Sequence, residues 1–94
     1  MGYRILIVDD SEIIRKIVRK SIGMSGLDVG EIFEAENGVQ ALKVLDNEWV
    51  DIVLADLNMP EMSGMELVEK MSSDNLLVSI PVVIVSSEHS ETRI

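Results

Sequence analysis

Apolar positions follow two rhythms along this chain: short continuous runs, and longer stretches where they recur every three or four residues. Arg4-Ile-Leu-Ile-Val8 is a run of the first kind and ends on Asp9-Asp10. A run this short reads as a strand buried on both faces, as in a parallel sheet. Ser11 then offers an N-cap, and Ile13, Ile14, Ile17, Val18 and Ile22 recur at helical spacing, with Arg15, Lys16, Arg19 and Lys20 assigned to the other face. Most of the apolar residues of that helix are expected in the core, and the stretch from Gly23 to Gly30 is expected to end it. A weaker strand follows over 31–35.

Asn37-Gly-Val-Gln40 has the spacing of a capping box and opens a short helix whose inward face is Ala41, Leu42 and Leu45. Trp49, expected to be a packing anchor, and Val50 lead into Asp51-Ile-Val-Leu-Ala-Asp56. Ile52 to Ala55 are too few for a helix and read as a strand that delivers Asp56 at its carboxyl end, with Pro60 turning the chain away. Ser63-Gly-Met-Glu66 repeats the capping-box pattern, and Met65, Leu67, Val68 and Met71 give the next helix its apolar side. Ile80-Pro-Val-Val-Ile-Val85 is a further strand, with Pro81 tolerated at its start, and it ends in Ser86-Ser87-Glu88.

The order β-α-β-α-β-α-β implies an α/β domain, a parallel sheet flanked by helices through right-handed crossovers. Ligands bind such sheets in the crevice outside the strand carboxyl ends. Asp9, Asp10, Asp56 and Ser86 are all expected at that rim.

Composition narrows the partners. At 94 residues the chain is one small domain, and 47% hydrophobic with 27% charged residues is ordinary for a globular core. Aromatic residues make up 3% and the formal net charge is −9, which disfavours base stacking and phosphate-backbone contact, so no direct nucleic-acid partner is expected. There is no cysteine, which excludes disulfides and thiolate metal sites and fits a reducing, cytoplasmic setting. No apolar run approaches a membrane span or a signal peptide.

Three carboxylates at one rim repel: two unit charges about 4 Å apart cost roughly 4 kcal/mol at an effective dielectric near 20. A cation among them offsets that cost. Oxygen-only ligands suit Mg²⁺, which keeps several waters and accepts phosphate, and Mn²⁺ also fits. A carboxylate beside such an ion can take a phosphoryl group, since catalysis is then mostly positioning. Ser86 is placed to hydrogen-bond the phosphoryl oxygens, which supplies the contact difference that a switch requires.

Taken together, Asp9-Asp10 after Ile-Leu-Ile-Val, Asp56 followed by Leu-Asn-Met-Pro, Gly64 at a helix start and Ser86 ending the fourth strand resemble the receiver domain of bacterial two-component response regulators, the CheY-like, flavodoxin-like fold. The resemblance covers essentially the whole chain, read as one receiver domain over residues 1–94. It implies that Asp56 is the phosphoacceptor, that the donor is a sensor histidine kinase or phosphotransfer protein, and that the chain is not an enzyme. It also implies that Asp9 and Asp10 hold Mg²⁺ with the Asn58 carbonyl, that Ser86 is the switch hydroxyl, and that the Asn58 and Glu88 side chains tune phosphate lifetime. The first helix, Ile13 to Lys20, resembles the surface where such partners dock.

The chain departs from that family in lacking a fifth strand with its lysine, the aromatic switch partner and the last helix. Lys16, Lys20, Lys43 and Lys70 all fall in predicted helices. The fold is therefore expected to be incomplete after strand four, with impaired phosphorylation as one consequence. Another is self-association, most simply a two-fold dimer, through the exposed strand-four edge and an uncovered sheet face. Two alternatives stand beside the phosphoacceptor reading: a self-associating structural unit with idle acids, and, ranked lower, a Mg²⁺-dependent phosphatase of the haloacid-dehalogenase type. The latter requires an acid where Asn58 stands. Lone His89, the methionines, and the Glu31, Glu34, Glu36 group are read as surface or packing residues.

Overall fold

Branched aliphatic runs become strands here because each is covered from both sides, and the periodic segments between them become the covering helices. The computed structural model describes residues 2–56 and 64–84. In chain order these form β1 (Tyr3–Val8), α1 (Glu12–Met24), β2 (Val29–Ala35), α2 (Gly38–Asn47), β3 (Ile52–Ala55), α3 (Gly64–Ser72) and β4 (Val82–Ile84). The strands are all parallel and lie in the order β2-β1-β3-β4, the flavodoxin-like arrangement expected. Among the described residues no helix is long and apolar enough to cross a membrane.

Strand register sorts the core onto one face. Leu6, Val8, Ala35, Val53 and Ala55 share that face and are buried against Ala41 and Leu45 of α2 and Leu67 and Met71 of α3. The other face carries Ile5 and Ile7, both buried, with Ile52 and Leu54 half-buried beside them.

α1 corrects the expectation that most of its apolar residues are core: none of its residues is buried. Ile14, Val18 and Ile22 are half-buried, whereas Ile13 is 71% and Ile17 54% exposed. The helix packs mainly on β1 and β2, so only one side of it is covered. Arg15, assigned by periodicity to the outer face, instead points inward. α1 also runs through Gly23 to Met24, because a glycine near a helix end costs only about 1 kcal/mol. The chain turns at Gly26, whose φ of 83° is the left-handed conformation that glycine adopts without strain.

β2 begins at Val29, two residues earlier than expected, through an irregularity in the ladder: Tyr3 pairs with Val29 and Arg4 with Glu31. A Cβ on Gly30 would lie 2.8 Å from the Gly2 carbonyl oxygen, so this bulge needs a glycine. The cap of α2 forms as read, the Asn37 side chain accepting from the Gln40 amide at 2.8 Å. Gln40 reaches back to the Glu36 amide rather than to that of Asn37.

Three apolar assignments are corrected. Met65 is exposed on α3 while Leu67 and Met71 are buried, since only their side of the helix meets the sheet. Trp49 is 74% exposed, its indole N–H donating to Asp51 at 3.1 Å, so it anchors no core. Ile80 precedes β4 instead of opening it: Pro81 has no amide to donate, and its carbonyl accepts from Val53 at 3.0 Å. β4 is the edge strand among the described residues, with Val83 and Ile84 exposed.

Candidate functional site: an acidic rim

The acids meet because two adjacent parallel strands end at the same level. β1 and β3 run in register from Ile5–Ile52 to Val8–Ala55, so Asp9 and Asp56 leave the sheet side by side. The Asp56 amide donates to the Val8 carbonyl at 2.9 Å, and the Asp9 amide to the Ala35 carbonyl of β2 at 3.0 Å. Backbone bonds thus fix both strand ends before any side-chain chemistry enters.

One carboxylate oxygen from each of Asp9, Asp10 and Asp56 lies within 4.8 Å of the others. Asp9 and Asp56 are buried, at 3% and 2% exposure, while Asp10 is exposed. The Asp9 carboxylate accepts the Ser11 amide at 2.9 Å, and Ser11 itself caps α1 by accepting from the Ile14 amide. Asp10 therefore does not serve as the helix cap.

Burial pushes the Asp9 carboxyl above its ordinary value, the Ser11 amide opposes this, and the charges of Asp56 and Asp10 push it further up. The donor set is all oxygen, clustered and open on the Asp10 side, which is chemistry that fits Mg²⁺ or Mn²⁺. Asn58, Ser86 and Glu88, assigned roles from the sequence, lie outside the described residues, as do Ser63 and His89.

Sequence reasoning missed the residue behind the acids. Arg15 donates from Nη1 to the Asp9 carbonyl at 2.6 Å and from Nε to Glu34 at 2.9 Å. Arg19 donates from Nε to the other Glu34 oxygen, also at 2.9 Å. Glu34 is thus no idle surface acid: burial alone would raise its carboxyl, but the two guanidinium groups hold it below the usual range. The available signal was the spacing of Arg15 and Arg19, four apart on a helix that packs on the strand carrying Glu34. All four lysines lie in helices, as expected.

The chain is 35% identical over 92 residues to the chemotaxis protein CheY1 of Helicobacter pylori, covering 97% of this chain and 73% of that one. Among solved structures it superposes on the Mn²⁺-bound response regulator Rcp1 with a TM-score of 0.79 at 26% identity, covering 98% of this chain and 70% of the other. The phosphorylated cyanobacterial phytochrome response regulator RcpA gives a TM-score of 0.83 at 25% identity, with the same coverage. The family model of the response regulator receiver domain matches residues 5–94. By that match, which spans nearly the whole sequence and includes Asp9, Asp10 and Asp56, the chain belongs to the response regulator receiver domain family.

Proposed function

We propose that this receiver domain accepts a phosphoryl group on Asp56, with a divalent cation held among Asp9, Asp10 and Asp56. The observation that carries the reading is the convergence of those three carboxylates at the carboxyl ends of β1 and β3. Receiver domains as a family are signalling modules phosphorylated by histidine kinases or phosphotransfer proteins. The donor for this chain is accordingly a phosphohistidine. An Asp56 carboxylate oxygen attacks phosphorus, the phosphorus–nitrogen bond breaks, and the leaving imidazole nitrogen takes up a proton.

The bound cation supplies charge neutralisation for the transferring phosphoryl oxygens. The chain's own residues do the rest. The Asp56–Val8 backbone bond holds the nucleophile at the rim, and the burial of Asp9 and Asp56 limits water at their carboxylates. In this reading the Asn58 carbonyl completes the ligand set, Ser86 is the switch hydroxyl, and the Asn58 and Glu88 side chains govern hydrolysis. It carries a cytoplasmic location with it, where ATP-dependent kinases make phosphohistidine.

Incubation with acetyl phosphate and Mg²⁺, followed by intact mass measurement, tests the proposal. One added phosphoryl group that disappears in Asp56→Asn and in the presence of EDTA is the expected result. No labelling, or labelling that survives Asp56→Asn, overturns it.

A separate observation favours self-association as a second property. Val83 on the β4 edge is 45% exposed, and Ile52 and Leu54 on the same sheet face are half-buried. An apolar edge of this kind pairs with another chain, most simply a second copy about a two-fold axis. Light scattering that returns a monomer at tens of micromolar overturns this second reading without touching the first.

A further inference from the structure

The loop that carries Asp9 and Asp10 is held by a side chain to which phosphoacceptor chemistry assigns no part. Asp9 is gripped at three points. Its amide donates to Ala35, its carboxylate accepts from Ser11, and its carbonyl, past the end of the β1 ladder, accepts from Arg15. The last is the shortest of the three, at 2.6 Å, as expected of a charge-assisted bond. The Arg15 side chain is only 14% exposed, and its other contact, Glu34, is rooted in β2. Sheet, helix and acidic loop are therefore joined through one guanidinium.

We propose that Arg15 is a positioning residue for the cation site, holding the Asp9 main chain so that Asp9 and Asp10 stay converged on Asp56. The inference rests on the reading of those acids as a cation site. Its physical basis is that three like charges push the loop outward, and a backbone fixed at Asp9 resists that push. Groups that orient ligands from behind in this way typically change metal affinity by about 10–100-fold when removed.

The sign of the effect separates positioning from simple electrostatics. If Arg15 acted merely as a nearby positive charge, its removal would strengthen cation binding. If it positions the acids, its removal weakens binding, and a lysine that keeps the charge does not rescue, because one ammonium replaces a planar fork that serves two acceptors. Arg19 is the internal control. It shares Glu34 and reaches the Ile32 carbonyl at 3.3 Å, and neither of these bonds involves Asp9.

The test is isothermal titration of Mg²⁺ into the full chain and into Arg15→Met, Arg15→Lys and Arg19→Met, each checked for folding by circular dichroism. Roughly tenfold or greater weakening in both Arg15 variants, with Arg19→Met unchanged, is the expected result. If Arg15→Met fails to fold, Arg15→Lys decides the matter alone. Unchanged or tighter binding in a folded Arg15 variant overturns the inference, and so does equal weakening in Arg19→Met, which would mark general loosening. A wild-type chain that takes up no Mg²⁺ overturns the cation reading itself, and this inference with it.

Discussion

The amide of Asp56 donates to the carbonyl of Val8 at 2.9 Å, so the buried acid of one strand is suspended from the last residue of its neighbour. That bond continues the β1–β3 ladder one step beyond β3, to the level where Asp9 begins. The acids consequently meet by register, with their mutual repulsion left for a cation to relieve.

Relief of that repulsion has a direct stability readout. In metal-free buffer Asp56→Asn removes one of three close charges and should raise stability by about 1 kcal/mol, or roughly 4–8 °C in a domain of this size. Adding Mg²⁺ should raise the melting temperature of the wild type, by about 2.7 kcal/mol in stability at a hundredfold excess over Kd. The variant should respond far less. Thermal unfolding with and without EDTA measures both; an Asp56→Asn chain no more stable than wild type would mean that the acids do not strain the fold.

Asp9 adds a pH signature. Its carboxyl is raised from 3.8 in the folded chain, by burial first and then by Asp56 and Asp10, against the lowering effect of the Ser11 amide. Between the unfolded and folded values the native chain therefore holds more protons than the unfolded one. Stability from this group falls as pH rises through that window, and the penalty is complete above it. In Asp9→Asn this dependence should vanish, so urea midpoints of the metal-free variant should overtake those of the wild type as pH rises.

Glu34 should behave in the opposite sense. Burial opposes its ionisation, but Arg15 and Arg19 hold its carboxyl below 4.5. Its contribution is present above that unfolded value and is lost as pH falls through the folded one. Glu34→Gln should cost about 1.5–3 kcal/mol at neutral pH, the range for hydrogen bonds to charged groups, and the deficit should shrink in acid. Urea unfolding at the two extremes checks it.

Core and surface apolar residues should separate sharply. Leu67 is fully buried under the sheet, and Leu67→Ala should cost about 2–5 kcal/mol. Leu76 is 85% exposed, and Leu76→Ala should stay within about 0.5 kcal/mol of wild type. Denaturant midpoints compare the two.

Two glycines three residues apart should respond with opposite signs to alanine. Gly23 lies in α1 with open space around its Cβ position, so Gly23→Ala should stabilise by up to about 1 kcal/mol. Gly26 sits at a φ of 83°, where an L side chain costs about 1–2 kcal/mol, so Gly26→Ala should destabilise. Thermal melts of the pair measure the contrast.

Much of this architecture was legible in residue order. The apolar run Ile52–Ala55 became β3 with those bounds, and Asn37 and Ser11 cap their helices as read. Asp9, Asp10 and Asp56 follow strand ends, and parallel pairing then brings them together. Strand length, cap chemistry and period are local properties, written in neighbouring residues.

What residue order left undecided was which side of each element meets another. Ile13 and Ile17 fit the apolar rhythm of α1 as well as Ile14 and Val18 do, yet they are exposed because they lie away from the side of the helix that packs on β1 and β2. Arg15 and Glu34 each read as surface charges, and they became the brace behind the acids once α1 lay across β2. The bulge at Gly30 depends on Gly2, which approaches from a different strand end. Local pattern therefore determined the elements and the order of their acids. Docking of one element on another decided burial, ion pairing and the shape of the site, because those depend on surfaces that come from distant parts of the chain.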